Sequence, residues 1–516
     1  METWFIILIS ISISAFIKAL ISIFFPSKNP SLNLNLPPGP LKFPIIGNTL
    51  WLRKSLSEFE PIIRSLHSKF GPVVTLHIGR RPSIFVADRY LAHHALIQNG
   101  ALFADRPPAL ATGKITSSNQ HNINMAFYGP TWRLLRRNLT SEILHPSRVK
   151  SYAHARKWVL QILLDRFESL LKSGHPVCTV DSLQYAMYCL LVLMCFGDKL
   201  DQKQIEEIER VERAMLLNGA RFRLLNFWPR LSQIVFRKRW SQLFQLRKNQ
   251  EEVLIPLIRA RKKLKEERLS KSKNENDDYV LSYVDTLFDL QLPDEKRKLS
   301  DDEIVTLCNE FLNAGTDTTS TAMQWIMANL VKYPNIQEKL FMDIKGVVGD
   351  AAEEIEEDDL QKMAYLKAVV LEGLRRHPPG HFVLPHAVTE DAVLGNYLVP
   401  KNGTINFMVA DIGWDPKVWE DPMAFRPERF MDSEEMFDIT GSREIKMMPF
   451  GVGRRMCPGY ALALLHLEYF VANLVWNFEW KAADGDDIDL SEKQEFTMVM
   501  KNPLQALISP RFKNRR

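Results

Sequence analysis

The 516-residue chain is poor in cysteine: it has five, an odd number, with no Cys-x-x-Cys pair and no histidine at metal-ligand spacing beside Cys178, Cys189, Cys195 or Cys308. That excludes a disulfide framework and the usual zinc patterns, and it places the body of the protein in a reducing compartment. An excess of one charge is lacking too. The 66 Lys and Arg residues against 61 Asp and Glu leave a formal net charge of +5. This is too small and too dispersed for a nucleic-acid surface, but it suits a protein held near an anionic membrane face. No Gly/Ser-rich or Pro-rich linker divides the interior, so one large body is expected. A dinucleotide loop is missing as well: in GVGRRM, Met456 stands where the third glycine of G-x-G-x-x-G is required. At the N-terminus, Glu2 takes the place of a basic n-region and no A-x-A-like site follows, which argues against a removable secretory signal.

What is present begins with an apolar and serine run from Thr3 to Phe25, interrupted only by Lys18. At about 1.5 Å per helical residue it can cross a hydrocarbon core of about 30 Å. Residues 1–25 are therefore expected to be a membrane anchor, 26–45 a basic and proline-rich hinge, and 46–516 the globular body. Lys18, Lys28, Lys42, Arg53 and Lys54 lie toward or beyond the far end of the run, so the positive-inside bias leaves the body cytosolic. In that orientation the sequons at Asn138 and Asn402 are not glycan sites. Residues 73–78 and 83–87, around a Gly-Arg-Arg-Pro turn, read as a β-hairpin, and most later segments read as helices. The charge-dense stretches 257–275 and Glu353 to Asp359 read as solvated surface.

The most specific stretch is Pro449 to Tyr460, PFGVGRRMCPGY, which isolates Cys457 in a loop with Gly451, Gly453 and Gly459 close by. Glycines serve where the backbone takes positive φ or approaches a flat ligand. Arg454, Arg455, backbone N–H groups and a following helix start favour thiolate over thiol, and thiolate is a strong iron ligand. Downstream of Ser300, with capping-box spacing to Glu303, a helical pattern runs to about Tyr333. Its middle, Ala314-Gly315-Thr316-Asp317-Thr318-Thr319, uses glycine and β-branched hydroxyl residues where a structural helix would use Ala or Leu, a local weakness that points to function. The plain alternative is a helix bent by Ser/Thr bonding back to its own carbonyls. Trp132 and Arg136 share a helix face at i, i+4, while Arg133 and Arg137 point elsewhere, and Glu372 and Arg375 are i, i+3 partners.

The loop pattern Phe450-x-x-Gly453-x-Arg455-x-Cys457-x-Gly459 closely resembles the haem-binding loop of the cytochrome P450 family of haem-thiolate monooxygenases. The hydroxyl-rich helix, Glu372-x-x-Arg375 and Pro427-Glu428-Arg429-Phe430 follow in family order. The versions AGTDTT and FGxGRRxCPG look like the plant A-type microsomal group. FADRPPAL, YGPTWRLLRRNLTSEILHPSRVKSY and SEFEPIIRSLH resemble its eighty-ninth family, subfamily A.

The resemblance implies a mainly α fold with small β-sheets and one N-terminal transmembrane helix. It makes Cys457 the axial ligand of haem b (iron protoporphyrin IX) and packs Phe450 near the haem. It assigns Trp132, Arg136, His386 and Arg455 to the propionates. For His386 the alternative is a satisfied surface histidine. Asp317 and Thr318 become the oxygen-activating pair, and Glu372, Arg375 and Arg429 a buried charge network of the haem pocket.

The implied reaction inserts one oxygen atom of O2 into an apolar small molecule. Electrons come from NADPH through a separate NADPH-cytochrome P450 reductase, with cytochrome b5 a candidate second donor and membrane lipid and substrate the other partners. Arg133 and Arg137 could form part of a basic docking surface for the acidic redox partner. The implied location is the endoplasmic reticulum membrane, single-pass, with the catalytic domain facing the cytosol. By family analogy Phe103, Phe222, Leu224, Phe311, Phe382, Val383 and Met498 line an apolar pocket. A linear tetrapyrrole from chlorophyll breakdown and fatty acids are candidate substrates, in plant secondary, lipid or tetrapyrrole metabolism. Two rivals remain: a haem-thiolate isomerase or dehydratase of hydroperoxides, against which Asp317 and Thr318 argue, and a non-catalytic membrane haem-binding protein.

Overall fold

A computed structural model describes residues 10–14, 16–17, 34–42, 47–48, 56–78, 81–172, 174, 176–227, 229–270, 280–401, 403–431, 436–483 and 488–512. Most of the expected anchor, much of the hinge, Asn402 and the stretch 271–279 lie outside these residues. Among the described residues one helix, Thr179–Phe196, is long and apolar enough to cross a membrane, but 89% of it is buried inside the protein, so it is a core helix.

The chain forms two compact units. The first comprises Met1–Pro107, Phe382–Ile412 and Thr440–Arg455. Helix α1 (Leu56–Phe70) leads into strands β1 (Val73–Ile78) and β2 (Arg81–Val86), which pair antiparallel, Val73 opposite Val86 and Ile78 opposite Arg81. The expected hairpin is therefore present, its second strand starting two residues earlier than the sequence suggested. β3 (Thr404–Phe407) adds to the other edge of β2 in parallel, Ser83 opposite Thr404. Alternation on these strands feeds two apolar clusters. Val73, Ile84, Val86, Leu96, Phe103, Ile405, Phe407 and Val452 form one, and Phe59, Ile63, Val74, Leu76, Phe85 and Met408 the other.

The second unit comprises Pro108–His381, Gly413–Ile439 and Met456–Arg516 and is mainly helical. Its principal helices are α2 (Pro130–Asn138), α3 (Thr179–Phe196), α4 (Gln202–Asn218), α5 (Arg237–Ser270), α6 (Asp301–Lys332), α7 (Ala364–Arg376) and α8 (Tyr460–Asn477), with a short antiparallel hairpin of β4 (Glu492–Gln494) and β5 (Met498–Met500). α6 opens on the expected capping box, Ser300 and Glu303 satisfying each other's backbone N–H, and it ends at Tyr333 before Pro334. From 303 to 331 every residue of α6 is buried except Asn309, Glu310, Ala314, Gly315 and Thr318. Glu310, Ala314 and Thr318 are four apart, so a core helix carries one open stripe.

Gly315 does not interrupt α6, which runs unbroken through it. A Cβ there would stand 2.7 Å from Leu191 Cδ1 of α3, so this glycine serves close helix packing rather than helix weakness. Gly373 in α7 is tighter still: its Cβ would meet Ile326 Cγ1 of α6 at 2.4 Å. Alanine normally stabilises a helix interior by about 1 kcal/mol over glycine, whereas overpacking a full core costs about 1–3 kcal/mol. Gly373→Ala is accordingly expected to lower the thermal midpoint of unfolding, against helix propensity; a raised midpoint would show that Ile326 yields freely.

Candidate functional site

The cysteine loop is shaped by backbone that only glycine adopts easily. Gly451 and Gly453 have φ of 64° and 72°, and a Cβ on Gly453 would fall 2.0 Å from the Leu96 carbonyl oxygen. The chain then makes a single tight turn, Gly453–Arg455. Arg455 Nε donates to the Ala104 carbonyl at 2.7 Å, and Phe450 is half-buried.

Cys457 lies just ahead of α8. The residue as a whole is half-buried, but its sulfur is deep enough for burial to push the thiol up; the Gly459 N–H and the Arg136 guanidinium act the other way. Arg136 Nη2 donates to the Met456 carbonyl at 2.6 Å, and its guanidinium lies 5.6 Å from the centre of the buried Trp132 ring. The i, i+4 pair on α2 is thus assembled, with Arg136 beside the cysteine, while Arg133 and Arg137 are exposed. The sequence alternative of an exposed Trp-Arg stack does not hold for Trp132.

His386 is not a surface residue. It is fully buried, its Nδ1 is hydrogen bonded to the Phe103 carbonyl at 2.7 Å, and its backbone bridges Ile405. Burial, together with the positive charge of Arg106 and Arg455, pushes its pKa down to about 3, so it is a neutral imidazole among guanidinium groups. Arg106, which the sequence reading did not single out, donates through Nη1 to the carbonyls of Leu384 and Pro385 at 2.8 and 2.9 Å.

Glu372, Arg375 and Arg429 come together as expected. Arg375 grips Glu372 in a two-pronged pair at 2.6 and 2.8 Å, and Arg429 Nε reaches Glu372 Oε1 at 3.1 Å. The Arg426 N–H adds a fourth donor at 2.8 Å.

On α6, Asp317 is buried and pairs through Oδ1 with Arg213 Nη1 of α4 at 3.2 Å; its Oδ2 has no hydrogen-bond partner among the described residues. Burial pushes its carboxyl up to about 6, against the pull of Arg213. Thr318 is half-buried, and its hydroxyl donates to the Ala314 carbonyl at 2.6 Å. The back-bonding alternative is therefore real for Thr318, yet the helix continues. Next to Arg213, Glu212 is wholly buried and accepts from Gln250 at 3.0 Å, Asn309 at 2.7 Å and Asn313 at 2.8 Å. Burial pushes it up to about 7. Neither Arg213 nor Glu212 was legible as a site residue, because their partners lie 104 and 101 positions away.

The residues expected along an apolar pocket divide. Phe222 belongs to a local core with Met215, Leu225, Trp240 and Leu243, and Phe311 packs on Tyr283 at 4.9 Å between centroids. Phe103 is buried in its own cluster, Phe382 packs edge-on to Phe85, and Met498 is buried with its carbonyl held by Trp325 Nε1 at 2.7 Å. Val383 is partly buried and Leu224 is exposed.

The cytochrome P450 family pattern matches residues 37–509. The chain is also 54% identical over 523 residues, 99% of each sequence, to cytochrome P450 89A9 of Arabidopsis thaliana. It belongs to the cytochrome P450 family. Isoflavone 2'-hydroxylase of Medicago truncatula is 29% identical, with 92% of each chain covered. A solved zebrafish cytochrome P450 structure with abiraterone superposes with a TM-score of 0.70 over 88% of this chain and 99% of that one, at 21% identity, which carries the fold. The fold is thus the mainly helical P450 fold with small sheets. Membership makes this plant-type P450, similar to the 89A members, a haem-iron monooxygenase served by a redox-partner reductase and acting on a small molecule.

The buried histidines of this P450 set its acid limit. His377, stacked on Trp325 at 4.0 Å, is pushed by burial to about 4, and His386 and His466 to about 3. All three lie below the unfolded value of about 6.5, so their stability contribution is complete above that pH and is lost as pH falls from 6.5 through about 4 for His377 and about 3 for His386 and His466. Three such groups give a slope of up to roughly 4 kcal/mol per pH unit. Urea unfolding at pH 7.5, 6 and 5 is expected to show a midpoint that drops steeply below pH 6.5; a flat profile would mean these imidazoles are protonated in the fold.

Proposed function

We propose that this P450 holds haem b through Cys457 and, anchored to the cytosolic face of the endoplasmic reticulum by residues 1–25, inserts one oxygen atom into an apolar small molecule. The observation that carries the reading is Cys457 just ahead of α8 with Arg136 held beside it through the Met456 carbonyl, in a chain whose long core helix α6, outside one open stripe, buries Asp317 beside Thr318. The donor set suits the group: a soft sulfur ligand beside a cation, and a neutral His386 flanked by Arg106 and Arg455 where anionic propionates would be welcome. By family resemblance Trp132 and Arg136 would also meet a propionate, and Phe450 would pack near the haem.

When bound, the haem supplies the chemistry that splits O2, using two electrons from NADPH through a separate flavoprotein reductase. The chain's own residues position and move protons. Asp317, its carboxyl raised to about 6, holds a proton part of the time near neutrality, and Arg213 limits that time by pairing with Oδ1. Thr318 rests with its hydroxyl hydrogen on the Ala314 carbonyl; to relay a proton it would release that bond, accept through Oγ1 and give its own hydrogen onward. Glu372, Arg375 and Arg429 keep the surrounding scaffold in place. Exposed Arg133 and Arg137 suit an acidic redox partner, the reductase and, as a second donor, cytochrome b5.

Two substitutions test the reading. Cys457→Ala is expected to abolish the thiolate-type band of the reduced carbon-monoxide complex, and retention of that band would remove Cys457 from the iron. Thr318→Ala is expected to keep the band while peroxide released per NADPH rises by about tenfold, within the usual worth of a positioned proton-transfer group. Unchanged coupling in a reductase-supported assay would take Thr318 out of the proton path.

A further inference from the structure

One turn before Ala314, helix α6 carries a carboxylate that holds a loop rather than the reaction. Glu310 accepts from the main-chain N–H groups of Ile123 at 2.8 Å and Asn124 at 2.6 Å, and from Asn122 Nδ2 at 3.1 Å. The loop it grips is under backbone tension. Ser118, Asn119 and Gln120 have φ of 43°, 58° and 70°, three consecutive non-glycine residues in the left-handed region, which L-residues enter only at a cost. Such a run persists only where its surroundings over-determine it.

Those surroundings are one face of α6. Ser118 Oγ is hydrogen bonded to Asp302 and Thr306, His121 Nδ1 to Glu303, and Glu310 takes the downstream end. Asp302, Thr306 and Glu310 are four apart, and the same series continues into Ala314 and Thr318. The loop therefore lies along the very face that opens as a reachable stripe one turn later. Within the loop, Gln120 braces both sides by accepting from Ala109 N at 2.8 Å and donating to the Met125 carbonyl at 2.7 Å. Asp302 and Glu303 are committed to the first turn of the helix, and Glu303 to its cap. Glu310 is the member of the clamp with no cap duty and three contacts to the loop.

We propose that Glu310 is a positioning residue: it fixes the 117–124 loop against its own strain at the edge of the open stripe, and so determines which molecules reach Ala314 and Thr318. The access part rests on the haem-thiolate reading above, while the clamp itself does not. A carboxylate can accept from two backbone N–H groups at once; an amide in its place turns a donor toward one of them and surrenders that bond. The loop then relaxes out of its left-handed run and the stripe is less guarded.

The test uses the full-length protein with Glu310→Gln and Glu310→Asp, and two readouts. Hydrogen exchange in the peptide covering 117–126 is expected to speed up by about tenfold or more in Glu310→Gln, the usual worth of a charge-assisted bond, and to be largely restored in Glu310→Asp. In the haem-loaded protein, carbon monoxide association after flash photolysis is expected to be several-fold faster in Glu310→Gln than in wild type, with the thiolate-type band in place. Unchanged exchange in Glu310→Gln, or acceleration equally large in Glu310→Asp, overturns the clamp. Faster exchange with unchanged carbon monoxide association overturns the control of access. Should the protein take up no haem, the exchange arm still decides the clamp, and it is the proposed function, with the access role resting on it, that fails.

Discussion

A carboxylate with no exposure to solvent cannot stay charged unless cations and dipoles close around it, and Glu372 meets that condition completely. Arg375, Arg429 and the Arg426 N–H occupy its oxygens, and Arg375 goes on to the carbonyls of Gly413, Pro422 and Ala424 while Arg429 holds that of Asp421. One buried anion thereby organises seven backbone and side-chain groups that span α7 and the irregular 413–430 stretch. Removing a single member of a buried ion network leaves the others uncompensated at about 3–5 kcal/mol, which no apolar contact in an irregular segment would offset. Regular secondary structure satisfies its own backbone, whereas this stretch relies on two guanidinium groups.

The second organising fact is that α6 has two duties. It must fill the centre of a helical unit, and it must present chemistry. The division is made by face: Asp317 and the hydroxyls of Thr316, Thr319 and Ser320 are buried, while Glu310, Ala314 and Thr318 are reachable. Gly315 belongs to the packing side of that bargain, letting α3 approach through Leu191. The polar pairings made by α4, Arg213 to Asp317 and Glu212 to Asn309 and Asn313, lie along the same helix and keep its central turns in register with α4.

Much of this was legible in the sequence wherever the signal is local. The cysteine loop is a run of adjacent residues, the capping box of α6 spans four positions, and Trp132 with Arg136 needs only helical spacing; the capping box forms, and Trp132 and Arg136 do share a face. What sequence pattern could not supply were pairings made by folding. Arg213 meets Asp317, and Glu310 meets Ile123 and Asn124, across more than a hundred positions, and nothing near either residue announces the partner. The Ala314–Thr319 motif was read as a local weakness of the helix, whereas the helix runs through it and glycine there relieves a steric contact. His386 shows the limit of local pattern in another way: a histidine between proline and alanine leaves a surface position open as the alternative, and it is the closure of the strand at Ile405 and the carbonyl of Phe103 that make it core.

Ala314 has a particular standing in this arrangement. It is exposed in the midst of a buried helix, so its methyl group packs against nothing that the fold requires. Adding or reshaping carbon at that one position alters what the open stripe presents without disturbing the interior, and stability does not oppose the change. A lineage of duplicated genes could therefore explore new ligands there in single-codon steps, each intermediate remaining a well-folded protein.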